Sequence, residues 1–410
     1  MLPMDTTAAT RPEDVGFCSR RIGRVETWMR QQVSSDRLAG VEVMINRRGR
    51  TAFHRCHGKA DLVRAADATP ETIYRIYSMT KALTAVAVMM LYEEGRFQLD
   101  DPITRYLPEF RGQRVFTGGG YGAVTTEPAK RSITFRDLLT HTSGLTYGFM
   151  QATPVDAIYR AQKIELPGTD EPLGDIMARL AKVPLIAQPG TEWNYSIASD
   201  LLGHLVAVIS GQPFEVFLRE RVIRPLGMAD TDFFVPSDKV GRFAANYEKG
   251  PDGCPRLIDD PATSRFLIPP RAPSGGGGLV GTARDYMRFC QMLLARGVHG
   301  SERLLGRKTV ELMTRNHLDG DMAAMGQPRF AESSYYGIGF GLGFSVTLDP
   351  AKAQIVGSPG EYAWGGMAST AFWVDPQEDM AVVMMTQLTP SSTYPIRREL
   401  RVLTYQAIVD

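Results

Sequence analysis

No stretch of this 410-residue chain is apolar for long enough to suggest a membrane span. The longest, residues 82–91, is broken by Thr84 and falls well short of the roughly 20 residues a spanning helix needs. Neither sign of charge dominates: 46 Lys and Arg face 45 Asp and Glu, a net charge of +1, and no dense basic run is present. That balance argues against nucleic acid or an anionic membrane as partner and favours an uncharged or mixed-charge small molecule. Cysteine is scarce. Cys18, Cys56, Cys254 and Cys290 are scattered with no C-x-x-C pair, as expected of reduced thiols in a cytoplasmic protein. The first 25 residues carry Asp5, Glu13 and Asp14 and no continuous apolar segment, so a cleaved secretory signal is not expected. G-x-S-x-G is missing, which argues against an α/β-hydrolase triad. The run Gly275–Gly278 lacks the Gly-Lys-Ser/Thr of a phosphate-binding loop. His54 and His57 flank Cys56, but a further ligand is not evident, so no metal site is expected and no cofactor is implied. Nothing in the chain specifies an oligomeric state.

What is present describes an ordinary globular protein, 43% hydrophobic and 22% charged, with material for one large core or two smaller ones. Residues 41–45 and 51–54 read as strands of a hairpin around the turn 46–49, preceded by helical spacing of Ile22, Val25, Trp28 and Met29. Residues 338–346, 370–374 and 381–385 are β-rich, and a last helix is expected over 395–408. Strands from both chain ends are therefore expected in one antiparallel sheet flanked by helices, an α/β (α+β) fold. The expected division is an α/β region over 15–76 and 280–410 and a mostly helical region over 77–279, in a single catalytic unit of 1–410. Two long loops are expected at 111–131 and 250–278.

Ser78-Met79-Thr80-Lys81 opens an almost wholly apolar helix, which should be central and buried. Residues three apart share a helix face, so Lys81 lies beside Ser78. A serine hydroxyl is a poor nucleophile until a base takes its proton. A lysine serves as that base only where its surroundings favour the neutral amine. Serine is also a common helix cap, and S-x-x-K arises by chance about once or twice in a chain this long. Two further segments favour the catalytic reading. Residues 188–196 place Tyr195 at the end of an irregular stretch before a buried helix. Residues 361–370 place Trp364, Gly365, Gly366 and Met367 beside a strand, where paired glycines let a substrate or another backbone approach. Lys308-Thr309 is followed by Val310 in a helical pattern and is not a K-T-G.

These segments, in this order, resemble the serine β-lactamase and penicillin-binding-protein superfamily, with its S-x-x-K, Y-x-N and K-T-G motifs. The closer resemblance is to the class C β-lactamase-like esterases, the family VIII carboxylesterases, and to acyltransferases such as the lovastatin acyltransferase. Residues 74–81, 138–145, 188–191 and 274–279 with Asp285-Tyr286 share it, and it spans about 20–388. The resemblance implies that Ser78 is the nucleophile, that Lys81 and Tyr195 share the acid–base work, and that the backbone N–H groups of Ser78 and Met367 form the oxyanion hole. It places Trp364, Gly365, Gly366 and Ile197 in the substrate pocket. Ile197 stands where β-lactamases carry the Asn, and Trp364 where they carry the K-T-G lysine. An isoleucine and an indole suit an uncharged ester better than an antibiotic's amide and carboxylate. The expected activity is hydrolysis of short- to medium-chain carboxylic esters through an acyl-enzyme. The alternatives are a β-lactamase or D-Ala peptidase, an acyltransferase, and a non-catalytic ligand-binding module.

Overall fold

Strand-forming residues gather at the two ends of the chain, and the fold pairs them. A computed structural model describes residues 10–326, 329–330 and 333–410. Its main sheet has eight strands, in the order Ile338–Phe340, Ser345–Thr347, Tyr362–Gly365, Ala371–Asp375, Met380–Thr386, Gly40–Arg47, Arg50–Asp61 and Ala66–Asp67. Every neighbouring pair is antiparallel. The seam between the chain ends is Met380–Thr386 on Gly40–Arg47, in register from Val41↔Thr386 to Arg47↔Met380.

Both faces of this sheet are covered, which is why its central strands Gly40–Arg47 and Met380–Thr386 are buried at every residue and mostly apolar instead of alternating. On one face Val41, Val43, Ile45, Val382 and Met384 pack with Trp28 and Met29 of helix Ser19–Ser34 and Leu400 of helix Ile396–Tyr405. On the other, Met44, Ala381, Val383 and Met385 join Tyr286 and Phe289 of helix Ala283–Leu294 in a larger core. Helix Thr80–Glu93 lies in that larger core, buried from Thr80 to Leu91 as its apolar surface requires.

Two local expectations are corrected. Residues 111–131 are not a loop but largely a hairpin, Arg114–Gly120 with Ala123–Pro128. The glycines at 118–120 hid its strand character, and the pairing slips register between Phe116 and Gly118. Residues 250–278 include a strand, Pro255–Asp259, paired with Asn246–Lys249. The β-rich stretch 338–346 divides between two strands, because the chain turns tightly through Gly343. Its φ is +95°, and a Cβ there would lie 2.4 Å from the Ala85 Cβ on the helix that follows Ser78.

One buried charge ties the helical region to the segment leading into Ser78. Arg75 has no exposed surface. It donates to Asp259 at 2.7 Å, to the Ala244 carbonyl at 2.5 Å and to Ser264 Oγ at 3.1 Å, with its guanidinium 4.0 Å from the Phe243 ring centroid. Arg75→Met should therefore lower unfolding stability by about 3 kcal/mol, the lower end for a broken buried pair because Asp259 keeps contact with water. Denaturant unfolding checks it; a loss under about 1 kcal/mol would show that packing against Phe243 outweighs the polar contacts.

Candidate active site

The chain reaches Ser78 through a short strand, Tyr74–Arg75, paired with Val280–Gly281. It then bends at Tyr77, whose φ of +41° is costly for a bulky side chain and marks a held turn. Ser78 does not open the α-helix directly. It sits in a 3-10 turn, Tyr77–Met79, and the α-helix begins at Thr80. Three contacts fix this turn: Ile76 N–H on the Leu279 carbonyl at 3.1 Å, Leu279 N–H on Thr80 Oγ1 at 3.1 Å, and Tyr286 OH on the Met79 carbonyl at 2.9 Å. The sequence stretch 274–286 is thus the cradle of the turn.

Lys81 is buried and turned back on Ser78, its Nζ donating to Ser78 Oγ at 3.2 Å and to the Gly276 carbonyl at 2.6 Å. Its ammonium also lies 4.6 Å from the Tyr195 ring centroid and 5.4 Å from that of Tyr147. Tyr195 OH donates to the same Ser78 Oγ at 2.6 Å. The structure therefore brings Ser78, Lys81 and Tyr195 together at one oxygen. Tyr195 is aimed by its neighbours: Asn194 N–H bonds the His141 carbonyl at 2.8 Å, and the His141 ring lies 5.3 Å from its own. Burial, then the Lys81 charge, push the His141 imidazole well below its ordinary pKa. Its Nδ1 pairs with Ser196 Oγ at 3.1 Å, so it supports the tyrosine and does not act on Ser78.

Behind Lys81 stands Asp200, fully buried in the first turn of helix Ala198–Ser210. Its Oδ1 accepts from Ser274 Oγ at 2.5 Å and from the Gly276 N–H at 3.0 Å. Burial raises its pKa, and the Lys81 charge opposes that rise. Gly276 must be glycine, since a Cβ there would lie 2.4 Å from Asp200 Oδ2 and 2.9 Å from Tyr147 OH. Asp200 and Tyr147 were not identified from sequence. An acidic residue among the apolar positions of 198–209 was the available signal for Asp200.

The other wall is the strand Tyr362–Gly365 and the turn after it. Trp364 packs at 5.6 Å from the Tyr195 ring and 5.4 Å from that of Phe340. Gly366 meets the backbone just before Ser78: a Cβ there would lie 2.5 Å from the Ile76 carbonyl oxygen. Arg397, also missed by sequence reasoning, donates to the Gly366 carbonyl at 2.6 Å and the Thr370 carbonyl at 2.9 Å. The peptide from Gly366 to Met367 is trans, so its N–H points opposite to the carbonyl that Arg397 holds.

Ser78, Tyr195, Trp364, Gly365, Gly366 and Met367 line one cavity of about 560 Å³. Ile197 does not, and that pocket assignment is corrected. It caps helix Ala198–Ser210 with its N–H on the Thr146 carbonyl at 3.2 Å, and its side chain is wholly inside the core.

A family model described as beta-lactamase matches residues 25–406. Esterase EstB of Burkholderia gladioli is 32% identical over 379 residues, covering 88% of this chain and 89% of that protein. Monacolin J acid methylbutanoyltransferase of Aspergillus terreus is 29% identical, covering 92% of each. Among solved structures, EstCE1, described as a hydrolase with promiscuous acyltransferase activity, superposes with a TM-score of 0.79 at 28% identity, covering 94% of this chain and 99% of that one.

Two donors on one oxygen generate a specific expectation. Lys81→Ala and Tyr195→Phe should each lower kcat by about 10²-fold or more, and the double variant should be little worse than either. Strictly additive losses in this cycle would show that the two side chains act separately.

Proposed function

The chain belongs to the beta-lactamase family, and from that premise we propose that it is a serine carboxylesterase of the family VIII type. The observation that carries this reading is the meeting of Lys81 Nζ and Tyr195 OH on Ser78 Oγ beside an aromatic-walled cavity. In the reactive state the Lys81–Tyr195 pair holds one proton fewer than an ammonium and a phenol together, and its free lone pair takes the hydroxyl proton as Oγ bonds to the ester carbonyl carbon. The backbone N–H groups of Ser78 and Met367 receive the negative charge that develops on the carbonyl oxygen. The C–O bond to the alcohol then breaks, and the same proton goes to the departing oxygen. Water attacks the acyl-enzyme, gives its proton to the pair, and Ser78 Oγ recovers one as the acid leaves.

Esters are preferred to β-lactams on the site's chemistry. A β-lactam brings an amide and a carboxylate whose desolvation calls for polar or cationic partners. Trp364 supplies an indole at the K-T-G lysine position. Ile197, although outside the cavity, means that no side-chain amide comes from its position. The cavity volume supports short- to medium-chain acyl groups. An alcohol replacing water in the second half-reaction makes the same site an acyltransferase, a reading favoured by the names of the transferase relative and EstCE1. The four cysteines form no disulfide in the structure, which supports a reducing, cytoplasmic setting.

Arg397→Met should lower kcat by roughly ten- to a hundredfold with KM little changed, because it frees the peptide that presents the Met367 N–H. A loss confined to KM would remove Arg397 from the oxyanion hole. Steady-state kcat/KM for p-nitrophenyl butyrate should exceed that for benzylpenicillin by orders of magnitude on one preparation. Comparable values would overturn the esterase reading while leaving the Ser78 chemistry standing.

A further inference from the structure

The first hairpin carries polar side chains that the proposed chemistry does not use. Glu42 lies on strand Gly40–Arg47 directly opposite Cys56 on strand Arg50–Asp61, and His54 lies opposite Met44. Side chains alternate across a strand, so Glu42, His54 and Cys56 share the face on which Met44 enters the larger core. The same alternation turns His57 to the opposite face, where its Nε2 is 3.5 Å from Glu26. The third ligand that the sequence did not show next to His54 and Cys56 therefore comes from the neighbouring strand.

Glu42 has no exposed surface. His54 Nε2 meets its Oε1 at 2.7 Å, while its Oε2 has no hydrogen-bond partner of good geometry among the described residues. The buried Tyr74 hydroxyl and the Cys56 thiol both face the Glu42 carboxylate and interact with it, but among the described residues neither makes a hydrogen bond of good geometry to its Oε2. A buried carboxylate oxygen with no well-aligned hydrogen bond is costly, and a bound ion is one of its ordinary explanations. One ligand atom from each of Glu42, His54 and Cys56 falls within 4.8 Å of the others. Around a tetrahedral zinc ion, with bonds of about 2.0–2.3 Å, ligand atoms stand roughly 3.3–3.7 Å apart, so small side-chain rotations close this set on an ion. The charges also match: one carboxylate, one thiolate and a neutral imidazole balance a divalent cation, as a buried site requires. The charged neighbours, Arg284 and Glu71, pair with each other at 3.2 Å and add no net charge. His54 and Cys56 keep partial exposure, which leaves a path from solvent.

We propose that Glu42, His54 and Cys56 form a binding site for one divalent transition ion, zinc by preference, that braces the first hairpin. The thiolate and imidazole select zinc or cobalt over magnesium or calcium, which prefer all-oxygen sites. Binding forms a metal–sulfur bond, and the thiol proton leaves to solvent. The Tyr74 hydroxyl or a water takes the fourth position.

Cobalt(II) is the probe, titrated into chelator-treated full-length protein. The wild type should bind one equivalent and show a near-ultraviolet thiolate-to-cobalt charge-transfer band. Zinc should abolish the band, and excess magnesium should leave it. Cys56→Ser should lose the band while hydrolysing p-nitrophenyl butyrate like the wild type, which shows that it is folded. Glu42→Gln should bind cobalt at least about a hundredfold more weakly, more than the 10–100-fold typical of losing an outer-shell partner. Ser78→Ala should keep the band, which separates this site from the esterase reading. No band in the wild type, a band retained by Cys56→Ser, or displacement by magnesium as readily as by zinc would overturn the proposal.

Discussion

A lysine ammonium removed from water must be met by acceptors and aromatic faces, and much of this molecule is arranged to do that for Lys81. Its place in the second position of a buried helix leaves little water to share the task. The Gly276 carbonyl, Ser78 Oγ and the rings of Tyr147 and Tyr195 surround it. Asp200 then fixes Gly276 from behind through its N–H, so a buried carboxyl group is linked to the Lys81 amine through a single residue. Removing any of these would leave a charge in a low-dielectric interior, a far larger cost than a surface ion pair gains. The same constraint accounts for glycine at 276, where a carboxyl group and a phenol stand too close for a Cβ.

Two arginines secure the walls on either side of that centre. Arg75 joins the segment before Ser78 to the helical region through Asp259, Ser264 and the Ala244 carbonyl. Arg397, on the C-terminal helix, holds the turn that follows Trp364. Because the sheet joins strands from both chain ends, the last helix lies against the wall formed by Tyr362–Gly365 and the turn after it. Rigid elements from four distant parts of the sequence thus converge on one serine oxygen, which is the preorganisation that acyl transfer demands.

Much of this was legible in the sequence where one residue type had to stand at one spacing. The pairing of Ser78 with Lys81 follows from helical spacing, whereas the role of Tyr195 comes from the family resemblance, its place before a buried helix alone fitting a loop anchor equally well. The fold class followed from strand signals at both ends. What failed did so for physical reasons. Ile197 lies two residues after the tyrosine in the motif, but the helix start turns it inward. Arg397 and Asp200 act across more than 30 and 70 residues of chain, on the turn after Trp364 and on Gly276, and no periodicity announces such pairings. Glu42 was hidden for the same reason, since cross-strand register and not sequence distance places it beside His54 and Cys56. Gly118–Gly120 concealed a hairpin because strand propensity is weak where side chains are missing.

The central claim is that Ser78 Oγ carries the acyl group between the two half-reactions. Acid quenching of the enzyme during turnover of p-nitrophenyl butyrate, followed by peptide mapping by mass spectrometry, tests it directly. A butyryl group on the peptide containing Ser78, appearing within one turnover and disappearing as substrate is exhausted, is the predicted result. A butyryl group that forms and clears at that rate on any other residue, or turnover with no acylated peptide under conditions where deacylation limits the rate, would contradict it.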